Sequence, residues 1–202
     1  FWDTGNGDIG NQGVHEMDVA RWGLGELTWP KSVVSTGGKY LYDDDQETPN
    51  TQMATLDYGA KQIMFEVRGL LTGPEAGQPV GTYPVGNLFY GSEGWMWIGG
   101  GGFQVFKGEK SEKTMDEKAE RGGDGTKLHM QNFLAACRSR NYKELNAEVE
   151  IGAISAGLCH FANNSYRMGG RKLTWDGAKR VYTGDAEATK LLTRDYRKPY
   201  LV

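Results

Sequence analysis

Four side chains near the start of the chain stack on one face of a predicted helix, and three of them are an amide, an imidazole and a carboxylate. Asn11, His15, Asp18 and Trp22 stand at i, i+4, i+7 and i+11, so a helix of 3.6 residues per turn places them within about 60° of one another. An imidazole can take and release a proton near neutral pH, an amide can orient a hydroxyl, and a carboxylate can fix an imidazole tautomer. Spacing alone leaves the plainer reading equally open: His15 satisfies a buried hydrogen bond and Asp18 pairs with Arg21. Glu16 and Asp18 also form a carboxylate pair of the kind hydrolases use, but i, i+2 positions point to different sides of a helix.

The same stretch contains Gly5-Asn6-Gly7-Asp8-Ile9-Gly10, a match to G-x-G-x-x-G, which in a dinucleotide-binding unit lets backbone approach a pyrophosphate. That loop needs a buried strand before it, and only Phe1, Trp2, Asp3 and Thr4 precede it in this sequence. Nothing after Leu24 reads as a second strand ending in a ribose-binding acid. The glycines are expected to shape the approach to the helix.

Other polar candidates are spread along the chain. Glu47, Thr48, Asn50 and Thr51 offer hydroxyl-binding groups on a loop, and Arg68 projects from the polar face of a strand. Loops and solvated sheet faces carry such residues by default. Trp2, an aromatic beside the glycine-rich turn, reads on its own as packed. With three histidines and no H-E-x-x-H, no metal site is expected. His129 and His160 fall on later helical stretches, where a structural role is favoured.

These residues are positioned by elements that the hydrophobic pattern outlines. Val14, Met17, Arg21 and Leu24 form a stripe beside the polar face of the first helix, and Gly25 is placed to end it. Lys31 to Tyr42 reads as a strand, followed by the acidic turn Asp43-Asp44-Asp45. Gln52 to Asp57 and Lys61 to Arg68 form a hairpin in which Ile63, Phe65 and Val67 alternate with polar positions. Leu88 to Tyr90, Trp95 to Ile98 and Phe103 to Lys107 add three short strands. Residues 108 to 125 read as a charged surface excursion. Helices are predicted over Lys127 to Arg138 and Ala147 to Met168, the second with Asn146 as N-cap and closed by Gly169-Gly170. Lys172 to Trp175 and Arg180 to Tyr182 are extended, and Asp185 caps a last helix through Leu192. The expected fold class is α+β: one domain over residues 1–202, a largely antiparallel open sheet with helices against one face.

The chain has 202 residues, 30 glycines and a net charge of −3 with acids and bases interspersed, which argues against nucleic acid or an anionic membrane as partner. No apolar run approaches the length of a membrane span. Cys137 and Cys159 lack metal-ligand spacing and read as two small buried residues, although a bridge stays open. The chain starts at Phe1 and is expected to be cut from something longer.

The Gly-Asn-Gly start, the Asn11-x-x-x-His15 spacing and Asp18-Val19-Ala20-Arg21-Trp22 resemble the start of the C-terminal domain of the Gfo/Idh/MocA family of NAD(P)-dependent oxidoreductases. His129-Met130-Gln131-Asn132-Phe133-Leu134, Ala147 to Arg167 and Arg171-Lys172-Leu173-Thr174-Trp175-Asp176 extend the likeness over nearly the whole chain. The resemblance implies a separate N-terminal Rossmann domain that binds NAD or NADP and supplies a lysine from a Glu-Lys-Pro motif, which does not occur in these residues. It implies a sugar, inositol or related polyol as substrate, and a homo-oligomer formed through the sheet face. It makes His15 the acid/base or hydroxyl-orienting residue, with Asn11 beside it where the family typically has an aspartate. An amide orients a hydroxyl but cannot take its proton. Asp18, Asn50, Thr51 and Arg68 are then substrate-binding candidates, and Trp2 a cofactor-facing one. On this reading the chain alone would be redox-silent. A different class stays in view: a module for assembly or sugar binding with no chemistry of its own.

Overall fold

The computed structural model describes residues 1–25, 28–70, 85–119 and 125–200. Internal contacts group the chain into two units, residues 1–82 with 154–202, and residues 83–153.

The first unit opens with two helical segments, α1 (Gly7–Asn11) and α2 (Gly13–Leu24). One continuous helix was the expectation; Gln12 separates them, although its backbone stays close to helical values. Gly25, at φ +67°, ends α2 in the left-handed conformation that lacks a Cβ penalty. Strands β1 (Ser32–Gly38), β2 (Thr51–Asp57) and β3 (Gln62–Arg68) follow. The predicted strand through Tyr42 stops at Gly38, and Leu41 turns the chain with φ +81°. After β3 the first unit resumes along a long helix, and the chain ends in two short strands and a short helix of this unit.

The second unit holds β4 (Gly86–Tyr90), β5 (Gly94–Gly99), β6 (Gly102–Lys107) and β7 (Glu112–Lys118), then α3 (Gly125–Ser139). The four strands form one antiparallel meander. β7 lies inside the stretch read as a surface excursion: its side chains are all exposed, so no hydrophobic period marks it. The register places Leu88, Tyr90, Trp95, Trp97 and Phe106 on one face and Phe89, Met96, Ile98, Phe103, Val105 and Met115 on the other. Trp95 and Phe106 stack at 4.0 Å.

The long helix is α4 (Val149–Arg167), followed by β8 (Leu173–Asp176), β9 (Val181–Tyr182) and α5 (Ala186–Lys190), whose N-cap Asp185 accepts from the Ala188 amide. The first unit's sheet has the order β3-β2-β1-β8-β9. Its inner face carries Val33, Ala54, Leu56 and Ile63, which share one core with Met17 and Ala20 of α2 and Leu158, Phe161 and Ala162 of α4. Met53 and Met64 are exposed, so helices cover one face of this sheet, as the alternation in β3 predicted. The α+β class holds, with the strands shared between two antiparallel sheets. Both cysteines are free, and Cys137 is exposed where a buried residue was expected.

Candidate functional site

Three glycines set the path of the chain into α1 and α2, each for a local reason. Gly7 has φ +74°, and a Cβ there would lie 2.9 Å from Thr48 Cβ. At Gly10 a Cβ would fall about on the Asn6 side-chain amide, 2.0 Å from its Cγ, and at Gly13 it would meet the Phe65 ring at 2.9 Å. Thr48, Asn6 and Phe65 thus pack directly against these glycines, where a larger residue would have no room.

His15 and Asn11 are both exposed. Among the described residues neither the Asn11 amide nor the His15 imidazole makes a side-chain hydrogen bond. Trp22 is 65% exposed further along the same helix. Asp18 behaves differently. Its Oδ1 accepts from the Ser155 hydroxyl at 2.5 Å and faces Arg21 Nη2 at 3.6 Å. Arg21 is only 1% exposed, and its Nε donates to the same Ser155 Oγ at 3.1 Å. The Asp18 carboxylate therefore serves the buried arginine and not the imidazole. Glu16 accepts from Gln12 Nε2 at 3.2 Å, so the two carboxylates of this helix answer to different partners.

Asn50, Thr51 and Arg68 come together at one end of the first sheet. Thr51 and Arg68 are direct cross-strand partners, and the Gly69 amide donates to the Asn50 carbonyl at 2.7 Å. A Cβ at Gly69 would lie 3.2 Å from Asp8 Oδ2, so α1, which carries Asn11, sits against this strand end. Asn50 itself is buried and holds the preceding loop: its Nδ2 donates to the Tyr40 carbonyl at 2.8 Å and its Oδ1 accepts from the Tyr40 amide at 3.2 Å. Thr51 donates to Asn50 Oδ1 at 3.3 Å. Arg68 is exposed and its Nε donates to Glu66 Oε1 at 2.8 Å.

Trp2 lies under the Arg167 guanidinium at 5.0 Å and tilts against Tyr166 at 6.3 Å, while its amide donates to Glu47 Oε2 at 2.8 Å. His129 and His160 are exposed on α3 and α4. No cluster of metal-ligating side chains occurs among the described residues.

Sequence reasoning passed over a buried polar layer between α4 and the sheet. Gln52, Asn163, Asn164 and Ser165 are all buried. Gln52 Nε2 donates to Ser35 Oγ at 3.0 Å and to Asn163 Oδ1 at 3.2 Å. Asn163 Nδ2 donates to the Asn6 carbonyl at 2.7 Å, and Asn164 Nδ2 to Tyr182 Oη at 3.0 Å. The sequence carried a signal: Ser165 stands four residues after Phe161 and seven after Leu158, in line with the apolar stripe of α4.

No protein-family model matches the sequence, and neither does any curated protein. Solved structures do share its fold. A provisionally assigned NADPH-dependent oxidoreductase from Desulfitobacterium hafniense aligns over 84% of this chain and 48% of its own, with a TM-score of 0.60 and 13% identity. A provisionally assigned oxidoreductase from Klebsiella pneumoniae aligns over 84% of this chain and 51% of its own, with a TM-score of 0.56 and 14% identity. YvaA from Bacillus subtilis, also provisionally an oxidoreductase, aligns over 81% and 51%, with a TM-score of 0.55 and 16% identity. The chain spans about half the length of each of these structures.

Proposed function

We propose that the chain is the C-terminal, substrate-binding part of an NAD(P)-dependent oxidoreductase of the Gfo/Idh/MocA type, acting on a sugar, inositol or related polyol. The observation that carries this reading is the pair Asn11 and His15: both exposed, both without side-chain hydrogen bonds among the described residues, on the face that the family motif assigns to substrate. The fold shared with oxidoreductases over about half their length supports it.

In this reading His15 takes the proton from the substrate hydroxyl as the carbon is oxidised, or returns it in the reverse direction. Asn11 orients that hydroxyl without titrating. Thr51 and Arg68 lie on the Met53 and Met64 face of the sheet, away from α2, and would reach further hydroxyls only around the strand end, with Asn50 holding the loop beside them. Asp18 acts from behind through Arg21 and Ser155. Trp2 borders the site with its indole already stacked on Arg167. In this reading the nicotinamide is held by a separate domain, and the described residues handle substrate and proton.

The second unit's sheet carries large apolar side chains on both faces, with Tyr90 77% exposed. It is the surface through which two copies of the chain associate in this reading.

The test is a turnover assay of the full-length protein with NAD and NADP against a panel of sugars and inositols, read by nicotinamide absorbance. Oxidation of at least one polyol is expected. No turnover with any of them, from protein that is folded and binds the nucleotide, overturns the reading.

A further inference from the structure

The helix α4 meets the segment bearing Asn11 and His15 through polar groups at two levels. At one, Ser155 joins Asp18 and Arg21 of α2. Eight residues on, about 12 Å along the helix axis, Asn163 reaches the carbonyl of Asn6, just before α1. His15 stands between the two anchors, three residues from Asp18 and nine from Asn6. Each anchor is backed by buried structure: Arg21 beneath Asp18, and Gln52 with Ser35 of the sheet behind Asn163.

The apolar contacts of Ile9 and Met17 with the core hold this segment close but set its rotation only to within the width of its apolar stripe, because hydrophobic attraction is non-directional. Hydrogen bonds have direction. We propose that Ser155 and Asn163 are positioning residues, a two-point clamp on α4 that sets where Asn11 and His15 stand. The inference rests on the reading of His15 as the residue that serves the substrate hydroxyl. The clamp has a physical signature that a purely structural role lacks: its loss loosens the segment more than the sheet it packs on. Asn164 supplies the control, an equally buried amide one residue away whose bond goes to Tyr182 and not to the segment.

The experiment compares Asn163→Leu, Ser155→Ala and Asn164→Leu in the full-length protein. Backbone amide exchange is measured over residues 9–15 and over β3, which makes no hydrogen bond to Ser155, Asn163 or Asn164 among the described residues, together with the NMR resonances of the His15 imidazole. Asn163→Leu and Ser155→Ala are expected to speed exchange at residues 9–15 by about tenfold relative to β3, the effect of losing one hydrogen bond, and to shift the imidazole signals. Asn164→Leu should change segment and strand alike. Should Asn163→Leu fail to fold, Ser155→Ala carries the same comparison. Equal acceleration in the segment and in β3 in both clamp variants, or none in either, overturns the proposal. Turnover of His15→Ala is followed in parallel: unchanged turnover overturns the functional reading, while the exchange comparison still decides the clamp.

Discussion

His15 and Asn11 are adjacent in role but differ in what each could lose. Replacing His15 by alanine removes the proton acceptor, so kcat should fall by about 10²-fold or more with little change in nucleotide affinity. Asn11→Leu keeps the acceptor and removes the group that orients the hydroxyl, so its main effect should be on KM, which rises about tenfold. Steady-state kinetics on both variants separates these effects, and an unchanged kcat in His15→Ala removes His15 from the chemistry. The Asp18 carboxylate belongs to a different class. Its partner Arg21 is buried, and Asp18→Ala would remove both the carboxylate facing that guanidinium and the acceptor of the Ser155 hydroxyl, a loss read in stability before it is read in rate. The spacing rule grouped Asp18 with His15 by angle around the helix, but angle does not say what stands opposite, and Ser155 of α4 stands opposite Asp18.

At the scale of elements, α4 contains two glycines whose substitution should have opposite signs. A Cβ at Gly157 would lie 2.3 Å from the Trp29 ring, which is itself stacked on Phe161 at 5.0 Å, so Gly157→Ala displaces an indole that has little room. The helix-propensity gain of about 1 kcal/mol is outweighed by overpacking of about 1–3 kcal/mol, and net destabilisation is expected. Gly152 has nothing within 4 Å, so Gly152→Ala keeps the gain and should stabilise by about 0.5–1 kcal/mol. Chemical denaturation of the two variants checks both signs. The helices and buried strands were legible because their apolar side chains repeat with the period of the element: Ile63, Phe65 and Val67 gave β3, and Ile154, Leu158 and Phe161 gave α4. β7 was not legible, since a strand with no buried side chain leaves no period. The break at Gln12 was hidden because the residues around it keep a helical pattern. At the site, residue types and spacing reached His15 and Asn11. They could not show that Asn50 is tied to the Tyr40 backbone, because that bond joins residues ten apart across a loop.

For the whole molecule, association and pH stability are the two properties at issue. If copies associate through the second unit's sheet, a charge at an exposed aromatic should disrupt them: Tyr90→Lys is expected to lower the mass seen by light scattering without changing the far-UV spectrum. Stability at high pH follows from two buried acids. Burial pushes the Cys159 thiol from its ordinary 9.0 up to about 12, and burial likewise pushes the Tyr182 phenol upward. In the fold these groups hold protons that the unfolded chain releases, so the native state binds more protons between pH 9.0 and about 12 for Cys159, and stability falls as pH rises through that window. Below it the contribution is intact. The urea midpoint should therefore drop from about pH 9 to about pH 11, and Cys159→Ala should flatten part of the drop, leaving the share that belongs to Tyr182. The same burial makes the two thiols unequal: a thiol reagent should modify the exposed Cys137 in the native protein and reach Cys159 only on unfolding. A midpoint that is level across the window, or equal reactivity of both thiols in the native state, would contradict a sealed core around α4. That core also anchors the clamp on His15, so its integrity bears on the site as well as on the fold.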